Sequence, residues 1–113
     1  MQATVTDYRH DVAVLRLSGE LDADTTAVLH SVLADLLKRP VPRIVVDLAD
    51  LKFCDSVGLS AFITCKQVLI ARGGWLRFAG VNPFLVRLME TVGLSRYFAV
   101  HPTIEDAVGA APL

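Results

Sequence analysis

The sequence predicts an α/β fold in which a mixed, mostly parallel sheet of about five strands packs with about four helices. Short apolar runs typical of strands alternate along the chain with segments whose apolar residues recur at helical spacing. In addition, 53% of the 113 residues are hydrophobic and 20% are charged, which favours a sheet covered on both faces. A chain of this length can bury its own core, so we expect a single domain over residues 1–113.

Five segments have the composition of strands. The first two, residues 4–8 and 12–17, are joined by a connection too short for a crossover, so we expect an antiparallel hairpin. Residues 18–22 are expected to leave the sheet. The other three predicted strands are residues 44–48, 75–79 and 97–100; the first of these is a continuous apolar run, as expected for a buried parallel strand.

The first two predicted helices follow strands two and three. Either Asp24 or Thr25 is the expected N-cap of the first helix, and Pro40 stops it after one apolar stripe. The second helix is expected to run from about residue 57 to residue 72, before a pair of glycines. Its expected core residues are Leu59, Phe62, Ile63 and Ile70.

Two shorter helices complete the predicted set. Asn82 is the expected cap of the third, with Pro83 at its first position. The apolar face of this helix is expected to be Leu85, Leu88, Met89 and Val92. Thr103 is expected to cap the last helix, and residues 109–113 are expected to fray.

Charge and hydropathy argue against several classes of function. The 11 basic and 12 acidic residues give a net charge of -1 without a basic run, so no nucleic-acid partner is expected. No apolar stretch approaches the ~20 residues of a membrane span, and no signal-peptide pattern is present. We therefore expect a cytoplasmic protein without a membrane partner, in which Cys54 and Cys65 are buried free thiols. Nothing in the composition indicates a cofactor.

The most informative segment is residues 55–59, Asp-Ser-Val-Gly-Leu. It lies between a predicted strand and a predicted helix, so Ser56 is expected at a helix N-terminus with its hydroxyl directed away from the core. Such a serine either caps the helix or is modified by an enzyme that reads the surrounding surface. The apolar pair Val57 and Leu59, with bare backbone at Gly58, favours the close approach of a kinase or partner.

A phosphate on Ser56 would have two opposing effects on the fold. The positive end of the helix dipole would stabilise it by roughly 0.3–1 kcal/mol, whereas the Asp55 carboxylate would repel it. Because these effects are similar in size, we expect phosphorylation to leave the fold nearly unchanged. A partner that docks there would instead have to bury about two added negative charges.

Two enzymatic alternatives depend on the same region. A hydrolase elbow would need glycine at position 54, which is cysteine, and no histidine can be placed beside Ser56. The carboxylates of Asp22, Asp47, Asp50 and Asp55 could converge at one edge of the sheet and hold Mg²⁺. No lysine and threonine at later strand ends complete such a phosphoryl-acceptor site, so capping and loop roles are the simpler interpretation. Neither a catalytic residue nor a metal ligand is predicted.

Three motifs, in this order, carry a family resemblance: residues 19–22 (Gly-Glu-Leu-Asp), 46–48 (Val-Asp-Leu) and 55–59. Supporting segments are residues 71–74, 91–94 and 105–107. From Val5 to about Val108 the sequence resembles the STAS-domain anti-sigma factor antagonists of bacteria. Cys54 departs from the aliphatic residue usual in that family and leaves the motif intact.

The resemblance implies a STAS-like fold and a binding protein rather than an enzyme. Such proteins bind an anti-sigma factor that is also a serine kinase, and so free the sigma factor for transcription. The kinase phosphorylates the serine that matches Ser56, which ends the antagonism, and a metal-dependent serine phosphatase reverses it. The expected partner-binding residues are Asp22, Asp55, Ser56, Val57, Gly58 and Leu59. The alternatives are a STAS subunit of a transport or stress-sensing assembly with no sigma-factor partner, and a small hydrolase or phosphoryl acceptor.

Overall fold

A computed structural model describes residues 1–9, 11–80 and 82–110. Five strands form one sheet, and their order across the sheet is their order along the chain. Strand β1 (Gln2–Tyr8) runs antiparallel to β2 (Val12–Leu21). Strands β2, β3 (Arg43–Cys54), β4 (Trp75–Ala79) and β5 (Val100–His101) are parallel to one another. The predicted fold class and the predicted hairpin are confirmed.

Four helices pack on this sheet. Helices α1 (Thr26–Leu36), α2 (Ser56–Ala71) and α3 (Pro83–Thr91) connect successive parallel strands, and α4 (Ile104–Gly109) follows β5. The three connecting helices bury their apolar residues in one cluster, whereas α4 contributes Ala107 to a smaller cluster. The N-termini of α1 and α2 therefore lie at the edge where β2 and β3 end. In the described part of the chain, no helix combines the length and apolarity that crossing a membrane requires.

The place of strand β2 between two apolar clusters explains why its sequence is apolar on both faces. Leu15 and Leu17 belong to the larger cluster, and Val12 and Val14 belong to the smaller one. Successive side chains of a strand point to opposite faces, so both faces of this segment are buried. Arg16 is nevertheless exposed, which shows that α4 covers the second face only in part. The expectation of a sheet covered on both faces therefore holds only in part for that second face.

Strands β2 and β3 are longer than the sequence predicts. Residues 18–22 were expected to leave the sheet, but β2 continues to Leu21, where it pairs with Cys54 at the end of β3. Two register shifts accompany this extension. Leu51 and Cys54 are buried while Lys52 and Phe53 between them are exposed, which differs from the continuous apolar run typical of a buried strand.

Three further expectations are corrected, and one, the burial of both thiols, is confirmed. The aromatic residue Phe98, expected in a strand, instead packs in the core 4.9 Å from the ring of Phe78, and β5 begins only at Val100. Ile70 and Val92, expected in the core, are 56% and 49% exposed. Cys54 and Cys65 are buried free thiols, as expected. Of the tail expected to fray, Gly109 still belongs to α4, and residues 111–113 lie outside the described residues.

Candidate functional site

The first turn of α2 carries the serine that the sequence singles out. Ser56 is the first residue of α2 and is exposed. The cap is Asp55, whose backbone is extended and whose carboxylate Oδ1 accepts a hydrogen bond from the Gly58 amide at 3.0 Å. The interpretation of Ser56 as the capping residue is therefore wrong. Because Asp55 accepts from the Gly58 amide, which has no partner within the helix, the serine hydroxyl is not needed for that role.

Gly58 and Leu59 do not offer the surface that was expected of them. Both are buried, so Leu59 lies in the core as the helical pattern predicts, whereas the expectation that bare backbone at Gly58 and an apolar edge at Leu59 face a partner is wrong. A Cβ atom at Gly58 would lie 2.8 Å from both Cys54 Sγ and Leu21 Cγ. The absence of a side chain therefore allows α2 to approach β2 and β3. Val57, by contrast, is 45% exposed beside the serine.

The loop after β2 holds Asp22 in a fixed orientation. Its Oδ1 accepts hydrogen bonds from the amides of Asp24 at 3.0 Å and Thr25 at 3.1 Å. The Asp22 amide in turn donates to Thr25 Oγ1 at 2.9 Å. Thr25 is the N-cap residue of α1, as predicted, but its side chain makes no capping bond to the helix. The threonine serves the loop instead, and its bonds position the carboxylate.

A backbone hydrogen bond joins this loop to the serine segment. The Asp55 amide donates to the Leu21 carbonyl at 3.2 Å, directly after the pairing of Leu21 with Cys54. Asp22 and Asp55 thus follow paired residues at the ends of adjacent parallel strands. The structure brings Asp22, Asp55 and Ser56 to the same edge of the sheet.

The other two aspartates of the magnesium hypothesis lie elsewhere. Asp47 is within β3, eight residues before Asp55, a separation of roughly 25 Å along an extended strand. Its carboxylate accepts from the Ala49 amide at 3.1 Å and pairs with Arg16 at 3.5 Å. Asp50 is also within β3. Across residues 1–9, 11–80 and 82–110, no group of three acidic, histidine or cysteine side chains could hold a metal ion.

Cys54 lies directly beneath the serine segment. Its Sγ is 3.5 Å from the Asp55 carbonyl oxygen, to which the thiol donates, and it also faces Gly58. Burial raises the pKa of this thiol to about 12, and the negative charge of Asp55 adds to the rise. The group is therefore a neutral packing element at physiological pH rather than a reactive thiolate.

The hydroxyl of Ser56 is chemically available. Among the described residues, its Oγ has no hydrogen-bond partner, and the Ser60 hydroxyl donates to the Ser56 carbonyl at 2.9 Å. His30 and His101 make no hydrogen bond to it. The arrangement is thus a neutral hydroxyl at the positive end of a helix, with carboxylates nearby that would repel an added phosphate.

Sequence reasoning identified Asn82 only as a cap. It does accept from the Leu85 amide at 3.2 Å, but its Nδ2 also donates to the carbonyls of Leu48 and Leu51, both at 2.7 Å. These carbonyls lie where β3 extends beyond its pairing with β4. No sequence signal predicts this contact, because its partners are more than 30 positions away.

Comparison with known proteins adds three findings. A family model described as "Mlab, STAS domain" matches residues 5–102. The anti-sigma F factor antagonist of Paenibacillus polymyxa is 30% identical over 105 residues, which cover 92% of this chain and 87% of that protein. The crystal structure of an anti-sigma factor antagonist from Mycobacterium paratuberculosis is 28% identical and superimposes with a TM-score of 0.83, covering 95% of this chain and 90% of that one.

The same fold also occurs in a protein solved in a phosphorylated form. The structure of the Bacillus cell fate determinant SpoIIAA in the phosphorylated form has a TM-score of 0.74. It is 20% identical, and the match covers 95% of this chain and 96% of that one. At this level of identity the likeness shows a shared fold.

Proposed function

Because this chain belongs to the STAS-domain family, and its relatives include anti-sigma factor antagonists, we propose that it is an antagonist of this kind controlled by phosphorylation of Ser56. In its unphosphorylated form it binds an anti-sigma factor that is also a serine kinase, and so frees the sigma factor. Phosphorylation of Ser56 ends the antagonism. The observation that carries this proposal is an exposed Ser56 hydroxyl at the first position of α2, with Asp55 taking over the cap.

The switch is electrostatic. A neutral hydroxyl beside the exposed Val57 can be covered by a partner at little desolvation cost. A phosphate adds about two negative charges next to Asp55, and burying them without a compensating cation costs several kcal/mol. The helix dipole offsets only roughly 0.3–1 kcal/mol of the local repulsion. The added charge therefore acts on the interface more than on the fold.

The contact surface proposed here consists of Asp22, Asp55, Ser56 and Val57. The remaining expected residues, Gly58 and Leu59, act from below by fixing the first turn of α2. The protein acts by binding rather than by catalysis, in the cytoplasm, where its partners would control transcription. A metal-dependent serine phosphatase returns it to the binding form.

The test compares Ser56→Asp and Ser56→Ala. We expect Ser56→Asp to abolish binding to the cognate kinase, a loss of about 2–5 kcal/mol, because a charge is then buried unpaired. Ser56→Ala should bind and resist phosphorylation. Titration calorimetry measures the affinity, and mass spectrometry maps the phosphosite after incubation with candidate anti-sigma kinases and ATP. Ser95→Asp, an exposed serine after α3, is the matched control. Wild-type affinity in a folded Ser56→Asp protein would refute the charge switch.

A second candidate is a STAS subunit of a transport or stress-sensing assembly without a sigma-factor partner. The same fold occurs within the murine anion transporter Slc26a9, which matches 86% of this chain with a TM-score of 0.73 at 17% identity, so the fold alone is compatible with this role. Under this alternative no anti-sigma kinase phosphorylates Ser56, and the protein co-purifies with a transporter ATPase or a large assembly. A neighbouring gene for such an ATPase, rather than for a kinase, would also support it.

A further inference from the structure

Two phenylalanines lie together on the surface near the serine. Phe53 is 41% exposed and Phe84 is 46% exposed, and their ring centroids are 6.2 Å apart with an interplanar angle of 32°. Phe53 is next to last in β3, and Phe84 is the second residue of α3. Leaving two adjacent aromatic rings in water is unfavourable, and such pairs are enriched at protein interfaces.

The position of this aromatic pair is fixed before any partner arrives. The buried side chain of Asn82 donates to the carbonyls of Leu48 and Leu51 and caps α3. The start of α3 is thereby attached to β3, and Phe84 is held beside Phe53. A contact surface that is already ordered loses little conformational entropy on binding.

The pair is also close to the proposed phosphorylation site. Ser56 is three positions after Phe53, so their Cα atoms cannot be more than about 11 Å apart. Val57, exposed on the first turn of α2, adds apolar surface at the same end of the molecule. A partner large enough to cover the serine therefore comes within reach of both rings.

We propose that Phe53 and Phe84 form the apolar centre of the surface that binds the anti-sigma kinase, an inference that rests on the function proposed above. The partner would place apolar side chains on the two rings while its catalytic cleft receives Ser56. Glu20 is exposed and pairs with Phe53 across β2 and β3, so it places a charged side chain at the edge of such a centre.

The place of the pair beside Ser56, rather than its size, favours the kinase over a second copy of this chain. At ~200 Å² for an aromatic side chain, the exposed fractions of the two rings amount to about 170 Å². A stable interface takes about 800 Å² from each partner. The pair is thus too small to hold any partner by itself, and a few central aromatic residues commonly dominate the affinity of a larger interface. A kinase that receives Ser56 must cover the surface beside the pair, whereas nothing requires a second copy of this chain to do so.

The experiment uses Phe84→Ala and Phe53→Thr in the full chain, with the anti-sigma kinase that phosphorylates the wild-type protein at Ser56 as the probe. We expect Phe84→Ala to raise both the Kd and the KM for phosphorylation at least about tenfold. The value of kcat should stay unchanged, because the rings lie outside the reacting atoms. Ile70→Ala and Val92→Ala, which truncate exposed apolar residues away from the serine, should stay within about twofold.

The outcomes separate this inference from the function on which it rests. Wild-type Kd and KM in folded Phe84→Ala, together with loss of binding in Ser56→Asp, would overturn the aromatic contact alone. Retained binding by Ser56→Asp, or the absence of any kinase that modifies Ser56, would overturn both. Sedimentation that shows a wild-type dimer dispersed by Phe84→Ala would assign the surface to a second copy instead. Circular dichroism melting verifies that each variant is folded.

Discussion

Gly58 shows how the absence of one side chain sets the position of the exposed serine two residues earlier. The space that a Cβ atom would occupy is filled by Cys54 and Leu21, both buried. These neighbours cannot move into solvent, so any larger residue at position 58 must displace the first turn of α2. Ser56 and Val57 would move with that turn.

We therefore expect Gly58→Ala to destabilise the protein by about 1–3 kcal/mol, as overpacking of a core usually does. It should also lower the rate at which a kinase modifies Ser56. Urea unfolding measures the first effect. Gly109→Ala is the control, because no atom lies within 4 Å of the added Cβ and the residue is in a helix. Equal unfolding free energies for the two variants would show that the close packing at Gly58 is unimportant.

For single residues, the sequence predicts where Ser56 lies, because a strand followed by a helical pattern locates the turn between them. It does not decide whether Asp55 or Ser56 caps the helix. Both residue types are favoured caps, and the choice depends on which residue takes the extended backbone. Burial of Gly58 was likewise beyond local reasoning, because it depends on contact with Leu21 from another strand.

Strand β3 extends beyond its neighbour β4, and this difference in length makes Asn82 important. Strand β4 pairs with β3 only from Arg43 to Asp47. Beyond that point the Asn82 amide group takes the place of a neighbouring strand for the carbonyls of Leu48 and Leu51. A buried carbonyl without a donor costs about 1–3 kcal/mol, so one side chain stabilises two elements.

We expect Asn82→Ala to cost about 2–4 kcal/mol in unfolding free energy, since two strand carbonyls and one helix amide lose their partner. Asn82→Asp keeps the capping oxygen but not the donors, and it should be at least as destabilising. Thr103→Ala removes a cap alone, at about 1 kcal/mol, and serves as the reference in urea titrations. A cost for Asn82→Ala no larger than that of Thr103→Ala would contradict a bridging role.

The second half of β3 was missed for a physical reason. Residues 48–54 lack both a continuous apolar run and regular alternation, because their buried residues Leu48, Leu51 and Cys54 are three positions apart. The register shifts against β2 interrupt the period of two on which strand prediction depends. The helices were predicted better, since their apolar stripes are local and long.

The molecule as a whole buries its two thiols on the same side of the sheet as the three connecting helices. Cys54 and Cys65 both belong to the larger core cluster. Burial raises the pKa of Cys54 to about 12 and that of Cys65 to about 11, from an ordinary 9.0. The folded state therefore retains both protons in a pH range where the unfolded chain releases them.

We expect stability to fall as the pH rises above about 9 and to continue falling towards pH 11. In that window the unfolded state binds fewer protons than the folded state, so the free energy of unfolding decreases by about 1 kcal/mol per pH unit for each thiol. Below pH 8 the thiols contribute no slope. The double variant Cys54→Ala/Cys65→Ala should have a slope smaller by about 2 kcal/mol per pH unit between pH 9 and 10.5. Urea unfolding at each pH provides the comparison, and identical slopes would rule out the effect.

The overall architecture could be predicted from the alternation of elements, which requires parallel strands and short crossovers. Packing between distant segments decides which face each helix covers. It also decides how much of the second face stays open around Arg16. The same holds for the aromatic pair, because Phe53 and Phe84 are 31 positions apart. The edge of the sheet that carries the serine was predictable, and the surface around it was not.

Helix α2 connects that edge to the opposite end of the molecule. Lys66, ten positions after Ser56 and about 15 Å along the axis, donates to the Tyr97 carbonyl and lies 4.1 Å from the centroid of the Tyr97 ring. A tilt of α2 when a partner docks near Ser56 would move the Lys66 ammonium and so change the electric field at the Tyr97 ring, far from the docking surface. If docking tilts α2 in this way, the tyrosine absorbance of the chain changes with partner exchange, without a chemical label.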